Sequence, residues 1–240
     1  MSPSARLGTP PLVRLLQELV PGDADRAPAD VAARLGDWLG AMDSIKLEGA
    51  LQAITAFGAQ ARSPGQPVDA PVLQQELTQL GALLSRMFSA PGDTTLPPEH
   101  AGEYAPHLKR FVELQKQMEQ RVGALRNRLH QLLGKGSPRL RQLVALDAAL
   151  HQLMGDREHK LLGNVPVLLE RRFNARRDAH QARLAALGQT DDPTTWRLPG
   201  GWLDTFQRDM RDVLQAELQL RLQPLQGLIE AAQEDLSSRT

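Results

Sequence analysis

From Tyr104 to Leu133, apolar residues recur at mostly three- and four-residue steps: Leu108, Phe111, Val112, Leu114, Met118, Val122, Leu125, Leu129 and Leu132. That period marks one face of an α-helix, not a strand. At 1.5 Å per residue, the stretch makes about 45 Å of continuous helix. A helix of this length with one apolar stripe hides that stripe against other helices, in a bundle or a coiled coil. The rest of the chain must supply those neighbours.

Composition agrees. The chain is 41% apolar but only 4% aromatic, so its core is built from Leu, Ala, Val and Met. Leu and Ala favour helix, whereas strands favour β-branched and aromatic residues. No segment alternates as a strand does, and no repeat of fixed period is present.

Further helices follow from the same spacing. Leu12, Leu15, Leu16 and Leu19 mark a short one that Pro21-Gly22 stops. A second, capped at Asp30, carries Val31, Leu35, Trp38 and Leu39, and a third carries Leu47, Leu51 and Ile54. After a Pro- and Gly-rich linker over 58–71, Asp69 caps a helix bearing Leu73, Leu77, Leu80, Leu84 and Phe88. Gly134-Lys135-Gly136 stops the long helix, and Ser137-Pro138 restarts the chain with serine as N-cap and proline in the first turn. The short connection predicts an antiparallel helical hairpin. Pro166 interrupts the next apolar pattern and either kinks one helix or begins another. The final helix spans about 201–236, with a kink expected at Pro224. The expectation is an all-α, multi-helix bundle of seven to nine helices, with one long central helix and a helical hairpin. A small N-terminal helical region over 1–95 would precede a long-helix bundle over 96–240, unless the two form one continuous domain.

The chain has no net charge, yet its charges are segregated. Residues 1–106 hold seven Lys/Arg against twelve Asp/Glu, residues 107–183 hold sixteen against seven, and residues 184–240 hold five against nine. The basic middle either pairs with its acidic flanks and solvates helix faces, or presents a surface to an acidic partner or a nucleic acid. The arginines that define it are Arg121, Arg126 and Arg128, then Arg171, Arg172, Arg176 and Arg177. Trp196, in a polar loop, is the aromatic residue suited to a contact role. Stacking residues are sparse among these arginines and no helix-turn-helix signature is present, so nucleic-acid binding is the alternative and a protein-facing or internally paired surface the first reading.

Catalytic signatures are not found. There is no cysteine, which excludes disulfides, thiol catalysis and cysteine-ligated zinc. Gly134–Arg139 resembles the tail of a phosphate-binding loop but lacks the spaced upstream glycine and the preceding strand. His100, Glu103 and His107 stand close in sequence without a zinc-protease motif. Asp147 and His151, with Asp156, Glu158 and His159 beyond, form the densest titratable cluster and allow a carboxylate–histidine pair. Neither a nucleophile elbow nor any other motif accompanies it. No catalytic, cofactor-binding or metal-binding residue is assigned, and a cryptic enzyme is a further alternative. Neither a signal peptide nor a membrane span is found, which makes the expected location cytoplasmic.

Three segments carry a family resemblance: HKLLGNVPVLLERRF, SPRLRQLVALDAALHQLM before it, and WLDTFQRDMRDVLQAELQLRLQPLQGLIEAA at the C-terminal end. With LVRLLQELV and LGDWLGAMDSIKLEGAL they are similar to the uncharacterised proteobacterial domain-of-unknown-function family 3348, over nearly the whole chain. The resemblance carries no activity, cofactor or catalytic residue. It implies a bacterial protein encoded beside proton-channel proteins of the flagellar-motor or Tol–Ton type and peptidoglycan-binding proteins. The expected function is therefore a non-enzymatic helical adaptor or scaffold whose partner is a protein, self or foreign, as a cytoplasmic accessory of an envelope proton-channel complex. No cofactor, small-molecule substrate or membrane insertion is expected.

Overall fold

A computed structural model describes residues 65–90 and 98–238, with Leu12, Leu15 and Gln52 as isolated positions. Among the described residues every regular element is helical. The elements are α1 (Ala70–Ser89), the one-turn α2 (Pro98–Ala101), α3 (Tyr104–Leu133), α4 (Pro138–Leu162), α5 (Val165–Leu187), a 3-10 turn (Pro193–Thr195) and α6 (Trp202–Ser237). The expected seven to nine helices are not matched: the described residues hold five helices of twenty residues or more. The three expected before Gly58 lie outside them.

The helix boundaries have local causes. The Asp69 carboxylate accepts the Val72 amide at 3.2 Å and caps α1. The Ser137 hydroxyl does the same for Leu140 at 3.2 Å and opens α4. Between α3 and α4 the chain turns through residues 134–137, the helical hairpin expected. Pro166 begins a helix and does not kink one: α4 ends at Leu162, and proline occupies the first turn of α5, where its missing N–H is no loss. α5 closes on Gly188 at φ 62°, with the Gly188 amide on Ala185 O and the Gln189 amide on Leu184 O at 3.0 Å. That left-handed cap satisfies carbonyls the helix end would leave bare. α6 passes through Pro224 without a break.

The described residues form two compact units, each taking part of α1, α3 and α6. Of the described residues, the first comprises 85–90, 98–117 and 164–220, with Leu12 and Leu15. Its core is aromatic: Phe173 of α5 lies 5.0 Å from Phe206, 5.2 Å from Trp202 and 5.6 Å from Tyr104, between ring centroids. Edge-to-face packing of this kind adds to the area buried. The Tyr104 hydroxyl donates to the Pro166 carbonyl at 2.7 Å and so ties the start of α3 to the start of α5.

The second unit comprises 65–84, 118–163 and 221–238 of the described residues. Its core is aliphatic, with Leu73, Leu77, Met118, Leu129, Leu133, Leu140, Leu225 and Ile229 buried. Gly65 lies so close to the Gly136 carbonyl that a Cβ there would clash with backbone. The contact is sealed by the Gln66 amide on Lys135 O at 2.9 Å.

The stripe expected on α3 is largely buried; Leu108 is half-buried and two members are exposed. Val112 is 47% exposed and Leu132 37%, while Leu133 takes the buried position at the helix end.

Candidate interaction surface

The basic residues singled out by the sequence divide between the two units. In the second unit Arg121 is exposed, Arg128 reaches Glu76 of α1 at 2.9 Å, and the Arg126 Nε stands 3.7 Å from Asp147. Asp147 is engaged more closely by His130 Nε2, at 2.7 Å. The pair links α3 to α4. His151 is exposed, and the side chains of Asp156, Glu158 and His159 lie outside those described.

In the first unit the arginines of α5 converge on one carboxylate of α6. Arg172 Nε donates to Asp209 at 2.9 Å, and Arg176 donates to both Asp209 oxygens at 3.2–3.4 Å. Positions 172 and 176 are one turn apart, so both side chains leave the same helix face. Arg177 lies over the Phe173 ring at 6.0 Å and 3.7 Å from Asp178. Arg171 is exposed. Arg172 and Arg176 thus serve in inter-helix pairing.

Trp196 does have a contact, within the chain. Its indole N–H donates to Asp191 at 2.8 Å, and its ring lies 5.4 Å from that of Trp202. Asp191 also accepts from His180 Nε2 at 2.9 Å. Partial desolvation alone would raise the Asp191 pKa, but the Trp196 and His180 hydrogen bonds and the His180 charge outweigh it and hold the carboxyl below its usual range. The next residue, Asp192, caps the 3-10 turn through the Thr194 amide at 3.0 Å and the Thr194 hydroxyl at 2.7 Å.

One feature escaped the sequence reading. Between Phe173 and Trp202 the chain gives no apolar residue to the core. The second half of α5 and the following loop nevertheless hold a defined conformation through Asp209, Asp191, Asp192 and the Gly188 cap. Leu187 and Leu198, exposed by 62% and 56%, are the most exposed large apolar side chains among the described residues. The local sequence signal was weak: after Phe173 the apolar spacing gives way to Ala and polar residues, which suit solvent and a helix interior alike.

His100 and Glu103 pair at 3.0 Å on the surface, whereas His107 is buried, its Nε2–H donating to the Ala101 carbonyl at 3.1 Å. Burial lowers the His107 pKa, helped by the Arg197 and Arg110 charges and opposed by the Ala101 hydrogen bond. Among the described residues no group of three His, Asp or Glu is placed to hold a metal ion, and no helix is long and apolar enough to cross a membrane.

No curated protein and no solved structure matches the chain. A family model matches residues 1–234, and the chain therefore belongs to the family described as protein of unknown function, DUF3348.

Proposed function

We propose that the chain is a non-enzymatic helical adaptor that binds a protein partner through the outer half of α5 and the loop after it. The observation that carries this reading is the combination of exposure and fixation there. Leu187 and Leu198 face solvent, yet the backbone beneath them is held by the Gly188 cap and the Asp191 and Asp192 hydrogen bonds. A preformed surface loses little conformational entropy on binding, which favours affinity. The titratable pairs support the same reading: His130–Asp147 and His180–Asp191 each join two elements of the fold, a structural use of groups that an enzyme would hold for chemistry.

The partner we favour is the cytoplasmic part of an envelope proton-channel complex, on the gene neighbourhood that family membership implies. A photo-crosslinking amino acid placed at Leu187 and at Leu198 in the native host tests this. A discrete crosslinked protein from both positions, absent with the same group at Arg121, is the expected result. No discrete product from either position would overturn the proposal.

A further inference from the structure

No residue described in the middle of α4, between Leu140 and Leu162, is buried. Leu143 and Leu146 are half-buried, and Leu150 is 40% exposed. These three stand at three- and four-residue steps and share one helix face. The other long helices of the second unit differ: α3 buries Leu129 and Leu133, and α6 buries Leu225 and Ile229. A row of leucines left half in water forgoes the chief source of folding stability.

The chain itself carries a cover within reach. Gly65 lies against Gly136, and the Gln66 amide is held on Lys135 O at 2.9 Å. That contact fixes the end of the preceding linker beside the hairpin turn, two residues before α4 begins at Pro138. Phe57 stands eight residues before Gly65, a span of up to about 27 Å. Leu143 is five residues into α4, about 8 Å along it. The helix expected to carry Leu47, Leu51 and Ile54 is therefore tethered close enough to meet the row. A tether this short holds its segment at roughly millimolar effective concentration, ahead of any partner arriving from solution.

The two rows also match in register. Read outward from the tether, Ile54, Leu51 and Leu47 are three and then four residues apart, and so are Leu143, Leu146 and Leu150. Antiparallel packing sets Ile54 on Leu143, Leu51 on Leu146 and Leu47 on Leu150, each row about 10 Å long. Gln52, the one described residue of this segment, is helical and exposed. It lies about 130° round the helix from the Leu47, Leu51 and Ile54 stripe, so the stripe is the face turned inward. We propose that residues 45–57 dock on α4 as an antiparallel helix and close the second unit over Leu143, Leu146 and Leu150.

The chain has no cysteine, so introduced cysteine pairs report this register in the full-length protein. L47C with L150C, and I54C with L143C, are expected to be joined within one chain by a short bismaleimide, read as a monomer carrying one reagent. The mismatched pair I54C with L150C should react about ten-fold more slowly, its positions lying about 10 Å further apart. Hydrogen exchange gives a second reading without cysteine. L51D is expected to speed exchange at the amides of 143–150 by at least about ten-fold, while those of α5 stay unchanged. Q52D, which puts the same charge on the outward face, is expected to leave both as they are. No crosslink, products only between two chains, equal rates for matched and mismatched pairs, or exchange in L51D no faster than in Q52D would each overturn the proposal.

Discussion

The Ser137 hydroxyl joins two helices: it donates to the Asp235 carboxylate of α6 at 2.7 Å while its oxygen accepts the Leu140 amide that opens α4. Both residues are buried. One small side chain thus caps a helix and satisfies an ionised group away from water. S137A is expected to destabilise the second unit by about 2–3 kcal/mol, the sum of a lost N-cap and a lost hydrogen bond to a charged acceptor. S137T, which keeps the hydroxyl, should recover most of this. Urea denaturation followed by circular dichroism measures both, and equal losses for the two variants would contradict the assignment.

Asp209 makes the corresponding link in the first unit, where it accepts from Arg172 and Arg176 together. Its side chain is 17% exposed and that of Arg172 20%, so solvent screens the pair less than at the open surface. D209A strands two guanidiniums and is expected to cost about 2 kcal/mol, more than an exposed ion pair is worth. A double-mutant cycle with R172A should show coupling of at least about 0.5 kcal/mol. Strict additivity would mean that the two side chains meet without stabilising each other.

The chain has a single tyrosine, so its ionisation can be followed by ultraviolet absorbance without assignment. Burial, and then the Glu170 charge, push the Tyr104 hydroxyl up to about 12. A folded pKa raised above the unfolded value of about 10 means the stabilising contribution is complete below pH 10 and is lost as pH rises through 12. Titration should give a midpoint near 12 in the folded protein and near 10 in denaturant. Y104F removes the hydrogen bond to Pro166 O at a cost of about 1 kcal/mol.

What the sequence made legible were features with local causes. Asp69 and Ser137 act within one turn of their own position, and their roles as caps follow from residue type, whereas Pro166 leaves a kink and a restart equally open until packing chooses the restart. The ends of α3 at Tyr104 and Leu133 follow from apolar spacing and from the glycines after it. Partners across helices carry no such signal. Asp147 and His151 share a helix at i, i+4 spacing, which suggested a pair, but the hairpin brings His130 to Asp147 from the neighbouring helix. The convergence of Arg172 and Arg176 on Asp209 was hidden for the same reason: pairing of the basic middle with its acidic flanks is one expectation of the sequence, but the spacing does not single out Asp209 as the partner. The aromatic core gathers Tyr104, Phe173, Trp202 and Phe206 from three helices, and nothing in their spacing along the chain foretells it. Buried Nε atoms without acceptors, as at Arg197 and Arg211, exist only once the chain is packed.

The loop after α5 should come apart in acid at a defined step. Asp191 accepts from both Trp196 and His180, and these bonds hold its pKa below the ordinary value despite partial desolvation. A depressed folded pKa contributes stability that is present above the unfolded value of about 3.9 and is lost as pH falls through the folded value. In the acid range the Trp196 indole N–H resonance is therefore expected to move with a midpoint below about 3.9. The same resonance in D191N should show no such step, because the amide oxygen still accepts but does not ionise. A midpoint at or above 3.9 in the parent chain would mean the two hydrogen bonds do not favour the carboxylate. In that case the loop that presents Leu198 would have to be held chiefly by Asp192 and the Gly188 cap.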